Sequence, residues 1–339
     1  MFKRLLSIAL ATGVGIASTS AYAQSTLEAV QDRGFVQCGV TEGVAGFSIP
    51  DDSGQWVGLE VDYCRALAAA IFNDADAVRY TPLNSTNRWE FLSNGSIDVL
   101  SRQTTWTMQR DTELGISFVG TMFYDGQGFM VRKDAGVNSV LELSGAAVCI
   151  ESGTTTELNA ADYFAANGME FSPVTFVGQD ETVKAYEDGR CDVYTTDSSV
   201  LAAERSSFNN PDDHIILPEI ISKEPLGPSV QAGDNQWFNI ARWVYFALLN
   251  AEELGVTKAN VDEMLGSDNP AIKRLLGVEG DFGSFIGLNK DWAYQIIKLV
   301  GNYGELYEAH LGESTPIGIP RGVNNLWTQG GIQYAPPIR

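Results

Sequence analysis

Histidine is nearly missing from this chain: His214 and His310 are the only two in 339 residues. They stand far apart with no cysteine or second histidine at ligand spacing, which argues against a histidine-held zinc or a histidine-based triad. Basic residues are scarce as well. Twenty-two Lys and Arg face 43 Asp and Glu, a formal net charge of -21. Nucleic acids and anionic membranes need basic patches and are poor partners for such a surface. The simplest role of the charge is solubility. Outside the first residues, the strongest apolar run is "IARWVYFALL", from Ile240 to Leu249. It is about half the length needed to cross a bilayer and contains Arg242, so it reads as a buried helix. Also absent are G-x-x-x-x-G-K-[ST], a G-x-G-x-x-G after a strand, H-E-x-x-H and G-x-S-x-G. No catalytic residue, cofactor or metal site is expected.

The chain opens with "MFKRLLSIALATGVGIASTSAYA". A basic start at Lys3 and Arg4, an apolar centre and the small-residue exit Ala21-Tyr22-Ala23 predict a secretory signal peptide over 1–23. The mature chain would begin at Gln24 and work in the periplasm. No cysteine stands at the cleavage point to carry a lipid. Cys38, Cys64, Cys149 and Cys191 make an even number in an exported chain, so two disulfides are the default. Three pairings are open.

An internal echo suggests two related α/β halves. "RWEFLSNGSIDVLSRQTT" around Gly95 and "VKAYEDGRCDVYTTDSS" around Gly189 share one pattern. In each, an amphipathic helix ends at a glycine, and two residues later Asp-Val opens a strand that runs into hydroxyls. "FVQCGVTEG" and "AAVCIESGTTTE" match as the opening strands. Each half should present loops at the carboxyl ends of its strands, where open α/β sheets place ligand sites. Between the halves, "FYDGQGFMVRKD" reads as a crossover, and "LPEIISKEPLGPSV" closes the second half. Asp234 then caps a long helix ending at Gly255, with shorter helices beyond.

The loops carry hydrogen-bonding chemistry. In "DVLSRQTTWTMQRD", Thr107 is the N-cap of a helix whose third position holds Arg110, where an acidic residue is usual. Gln103, Thr104 and Thr105 offer donors beside it, and a guanidinium suits a carboxylate. Together with the helix start they read as an anion site, with Arg102 as a rival for the same role. The alternative is a surface arginine paired with Asp111 or Glu113. In the second half "ESGTTTE" gives a donor-rich turn at Thr154 and Thr155. Asp197 lies between strand and helix, either as a plain N-cap or as a partner for a cation.

"GLEVDYCRALAAAIF", "NRWEFLSNGSIDVLSRQTTWTMQRDT", "ESGTTTELN", "GRCDVYTTDSS" and "GGIQYAPPIR" resemble the general L-amino-acid-binding proteins of bacterial ABC uptake systems, within the family-3 solute-binding proteins. The resemblance covers essentially the whole mature chain. It implies that Arg110 grips the ligand α-carboxylate with help from Thr105 and Thr155, and that Asp197 takes the α-ammonium. Relatives specific for glutamate and aspartate are similar at "LNSTNR", which implies side-chain contacts from Ser85 and Arg88. The competing position for Arg88 is on a helix start facing solvent. Gln179 stands where such relatives carry a histidine, a neutral contact in place of a possible cation. Near Val44 the chain lacks the aromatic that many members pack on the ligand.

The expected fold is α/β, a two-lobed periplasmic-binding-protein fold of type II with a hinge of two crossovers and a C-terminal helical extension. Lobe 1 would span 24–128, lobe 2 129–225, and 226–339 would return to lobe 1 and add the C-terminal helices. The expected function is binding of a free polar L-amino acid, with broad specificity including glutamate, aspartate and glutamine. The closed monomer would dock on a membrane permease driven by its ATPase. The competitors are a periplasmic lyase resembling cyclohexadienyl dehydratase, or a sensor module. A bridge between lobes would oppose hinge motion, so Cys38 is expected to pair with Cys64 and Cys149 with Cys191.

Overall fold

The computed structural model describes residues 24–339, and the signal peptide expected over 1–23 lies outside the described residues. In the first half the strands are β1 (Val36–Val40), the small hairpin β2 (Ile49–Pro50) and β3 (Trp56–Val57), β4 (Val78–Pro82), β5 (Val99–Leu100) and β6 (Ile116–Phe118). Next come β7 (Phe123–Asp125), β8 (Gln127–Arg132), β9 (Ala147–Glu151), β10 (Ser172–Phe176), β11 (Val193–Asp197) and β12 (His214–Ile216). The last are β13 (Glu224–Leu226) and β14 (Ser229–Gln231).

Two five-stranded sheets result, in the orders β4-β1-β5-β14-β6 and β10-β9-β11-β8-β12. The echo between the halves is a shared topology. In each sheet the first of three parallel strands, β1 or β9, lies between the other two, and an antiparallel strand, β14 or β8, pairs with the last of them. Parallel strands covered on both faces read as unbroken apolar runs, which is why "VQCGV" shows no alternation. The glycines that mark the echo, Gly95 and Gly189, both sit at φ +75, a left-handed conformation that stops a helix and costs glycine little.

Passage between the sheets runs through one antiparallel ribbon. β7 leads out of the first sheet, β13 leads back, and Glu224 lies opposite Asp125 in their register. Gly227 follows β13, where a Cβ would meet Gly120 O at 1.8 Å, so the two hinge segments touch backbone to backbone.

The helix Leu59–Phe72 has eleven buried residues. It packs against the helices Asn235–Glu253 and Trp292–Leu299 in one large apolar core with the first sheet. Asp234 caps Asn235–Glu253 by accepting from Trp237 N at 2.9 Å, and Gly255 follows at φ +67. The second sheet has separate apolar clusters, one containing Phe129 and Phe164, the other Tyr186 and Tyr194. Beyond the helix Tyr303–His310, the C-terminal tail reaches the hinge. Asn324 Oδ1 accepts from Tyr124 N at 2.7 Å and its Nδ2 donates to Tyr124 O at 3.1 Å. Gln333 Nε2 donates to Thr121 O and Met122 O, both at 3.2 Å.

Two disulfides join Cys38 to Cys64 and Cys149 to Cys191. The first ties β1 to the helix Leu59–Phe72, and the second ties β9 to the residues entering β11. Neither crosses between the sheets. With separations of 26 and 42 residues, chain entropy alone assigns them roughly 3.5 and 4 kcal/mol.

Candidate functional site

The carboxyl ends of the two sheets face each other across one small cavity. Arg88, Arg102, Gln103, Thr105 and Arg110 line it from the first half. Glu151, the turn Thr154 to Thr156, Gln179, Thr196, Asp197 and Val200 line it from the second. The halves touch directly at its rim. Ser85 Oγ donates to Glu151 and to Ser152 O, Arg102 Nη2 lies 3.5 Å from Glu151 Oε1, and Thr105 Oγ1 is 3.3 Å from Thr155 Oγ1. The space left between the two walls is small, about 30 Å3, so the lobes are drawn together.

Thr107 accepts from Arg110 N at 3.2 Å, as a capping residue should. The helix it opens, Met108–Glu113, has only six residues, so little dipole accumulates and the attraction for an anion falls on the guanidinium itself. Arg110 is 9% exposed and makes no ion pair with Asp111 or Glu113. Its Nη1 donates to Thr105 O at 2.9 Å. Burial lowers its pKa to about 10, partly opposed by Glu224 and Asp197, and Arg102 lowers it further.

Arg88 does not point to solvent. It is 2% exposed, with its guanidinium 4.4 Å from the centre of the Trp89 ring, and Arg110 lies 5.2 Å from the same ring. Both cations thus share one aromatic ring, a contact that partly replaces lost water. Nη1 of Arg88 reaches Thr104 Oγ1 only at 3.4 Å, and its buried Nε has no partner among the described residues. Burial, followed by repulsion from Arg102 and Arg110, holds its pKa well below the usual arginine value. Three guanidiniums stand in one wall, and Glu151 is the only carboxylate among the described residues within ion-pair reach of any of them, which leaves positive charge to be balanced.

Gln103 adopts φ +33, a left-handed conformation that is rare for a side-chain-bearing residue. Its N–H donates to Glu60 in the first turn of the helix Leu59–Phe72, and its buried Nε2 has no partner among the described residues. Burial pushes Glu60 up to about 7. On the opposite wall Gln179 Nε2 donates to Glu204 Oε1 at 2.6 Å, and burial raises Glu204 to about 7.

Asp197 ends β11 at the N-cap position of the helix Ser198–Ser207 but makes no capping bond. Its pKa is raised well above the usual carboxylate range, first by burial, then by repulsion from Asp125 and Glu224, with Arg110 and Arg88 opposing. Asp125 is itself raised to about 6, mainly by burial, which its hydrogen bonds to Ser199 and Gly126 partly offset.

Seven of the eight expected ligand contacts meet at this cavity. Ser85 is the exception, being buried behind the rim as a link between the halves. Val44 is buried in the first lobe's core, and the apolar lining comes from Val200 instead. Sequence reasoning missed Glu60, Asp125, Glu151, Trp89 and Glu224. Glu224 is 2% exposed and bonds to both Thr105 and Thr155.

Known proteins share this architecture. The chain is 56% identical to the general L-amino acid-binding periplasmic protein AapJ of Rhizobium johnstonii, covering all of both chains. It is 51% identical to the glutamate/glutamine/aspartate/asparagine-binding protein BztA of Rhodobacter capsulatus over 98% of each. A solved ABC transporter periplasmic binding protein from Brucella ovis, with glutathione bound, superimposes with a TM-score of 0.92 at 55% identity. That match covers 94% of this chain and all of the other. The family model for bacterial extracellular solute-binding proteins, family 3, matches residues 36–274. With two sheets, a ribbon hinge and a polar cavity between them, the chain belongs to the bacterial extracellular solute-binding proteins of family 3.

Proposed function

We propose that this chain is the periplasmic substrate-binding component of an ABC importer for polar L-amino acids, with glutamate, aspartate and glutamine among its ligands. The observation that carries the reading is the pairing of a buried cation in one half, Arg110, with a buried carboxylate in the other, Asp197, across a single cavity. An α-carboxylate on Arg110 and an α-ammonium on Asp197 neutralise both, and only with the lobes closed. Gln103, Thr105 and Thr155 stand beside the clamp. Arg88, with Ser85 behind it, receives a distal carboxylate, and Gln179 meets a neutral side chain. The names of AapJ and BztA support this class of ligand.

The lobes are assigned as 24–128 and 129–225, with 226–339 returning to lobe 1 and extending it. The protein acts as an exported monomer that delivers its ligand to a permease, without chemistry of its own. The glutathione in the Brucella structure favours a second ligand, since a γ-glutamyl end carries the same α-carboxylate and α-ammonium.

Calorimetry tests the clamp. Arg110→Ala and Asp197→Ala each leave a buried partner unpaired and should cost on the order of 2 to 5 kcal/mol, roughly 30-fold to several thousand-fold in affinity. Parent-like binding by both variants places the site elsewhere. A thermal-shift panel of the twenty amino acids and glutathione reads the specificity. A ligand at a hundred times its dissociation constant adds about 2.7 kcal/mol.

A further inference from the structure

Glu224 sits on β13, where the chain returns between the sheets. Its carboxylate accepts four hydrogen bonds. Asn159 Nδ2 at 2.7 Å and Ser222 Oγ at 2.6 Å donate to Oε1. Thr105 Oγ1 at 2.6 Å and Thr155 Oγ1 at 3.0 Å donate to Oε2. One threonine comes from each half, so a single oxygen atom joins the two walls of the cleft.

An ionised carboxylate can only accept, and four donors fill its lone-pair positions. A threonine hydroxyl has one hydrogen, and the shorter distances to Glu224, 2.6 and 3.0 Å against 3.3 Å between the two hydroxyls, assign both hydrogens to the carboxylate. Only lone pairs are left to turn toward the cavity. With Asp197 they make three acceptors. An ammonium carries three N–H donors, whereas a hydroxyl in its place carries one and leaves acceptors facing one another unmet.

Resting on the amino-acid reading above, we infer that Glu224 is a positioning residue for specificity: it orients the hydroxyls of Thr105 and Thr155 as acceptors and so makes the closed site select an α-ammonium over an α-hydroxyl. The α-carboxylate is served by Arg110 and by the N–H groups of Thr155 and Thr156, which open the helix Thr155–Ala166 ahead of Glu157 N, itself capped by Thr154.

The test compares L-glutamate with 2-hydroxyglutarate by calorimetry on the full mature chain. A site built for hydrogen bonds rejects an analogue lacking them by large factors, so the parent should strongly prefer L-glutamate. In Glu224→Met, which keeps the length but removes both acceptors, the preference should fall at least about tenfold through weaker glutamate binding. Circular dichroism reports whether that variant folds. A second variant, Glu224→Gln with Asn159→Asp, turns the new amide nitrogen toward the carboxylate introduced at position 159 and leaves an oxygen on the threonines. It should retain the parental preference. An unchanged preference in Glu224→Met, whatever the absolute affinities, overturns the inference, as does a lost preference in the double variant. A parent that binds none of the twenty amino acids overturns the functional reading and this inference with it. Amino-acid binding with an indifferent Glu224 overturns this inference alone.

Discussion

Asp125 does for the helix Ser198–Ser207 what Asp197 is placed to do: its Oδ2 accepts from Ser199 N at 3.2 Å, while Asp197, immediately before the helix, makes no capping bond. A residue from the hinge thereby satisfies the helix start. Asp197 is free to face the cavity.

Removing that substitute should draw Asp197 onto the vacant amide. Asp125→Ala is expected to cost about 1 kcal/mol of stability, as lost caps do. It should also weaken amino-acid binding at least about tenfold, because Asp197 would have to leave the cap to meet the ligand. Urea unfolding and calorimetry measure the two effects. Lost stability with parental affinity would mean that Asp197 is held in place by other contacts.

Stability of the ligand-free protein should fall as pH rises toward neutrality. Burial raises Glu60 and Glu204 to about 7 and Asp125 to about 6. The folded chain therefore holds protons that the unfolded chain has released between about pH 4.5 and 7, and stability from these groups is lost as pH rises through that window. Carboxyls held low, such as Asp234, titrate below it. Melting temperatures from about pH 5 to 7.5 should decline, and the decline should flatten in Glu60→Gln and Glu204→Gln. A melting temperature that climbs over this range contradicts the assignment.

Arg88→Gln should separate acidic ligands from their amides. Charged hydrogen bonds are worth about 1.5 to 3 kcal/mol, so glutamate and aspartate should lose on the order of 10- to 150-fold in affinity. Glutamine should change far less. Equal losses for glutamate and glutamine would assign Arg88 to packing on Trp89 alone.

Gly227→Ala should loosen the site from outside it. Its Cβ would strike Gly120 O at 1.8 Å, and Gly227 N donates to Thr104 O at 3.1 Å, next to Thr105. Relieving the clash moves the strand carrying Glu224, with an overpacking cost of about 1 to 3 kcal/mol. Thermal melts and ligand titration should both register it. A variant with parental values in both would show that the hinge segments part without cost.

Much of this was legible because it is local. Thr107 and Arg110 are three residues apart, and Asp197 stands where a strand hands over to a helix. The repeated Gly-x-x-Asp-Val pattern foretold two sheets of one topology. Glu224 was not legible: its partners Thr105, Thr155 and Asn159 lie 119, 69 and 65 residues away, and its own segment reads as a proline-punctuated linker. Asp125 was hidden for the same reason, since it caps a helix 74 residues later. The burial of Arg88 depends on Trp89 offering its ring to two cations, which one-dimensional spacing does not reveal.

The tail that grips the hinge through Asn324 and Gln333 lies wholly beyond residue 274, where the family match ends. Its side chains hold the backbone of β7 and of the two residues before it, and it contributes nothing to the lining of the cleft. The tail thus braces the hinge from a stretch of chain that supplies none of the cleft's lining residues. Mutation in the tail can retune how quickly the protein lets go of its cargo, leaving its list of cargoes as it was.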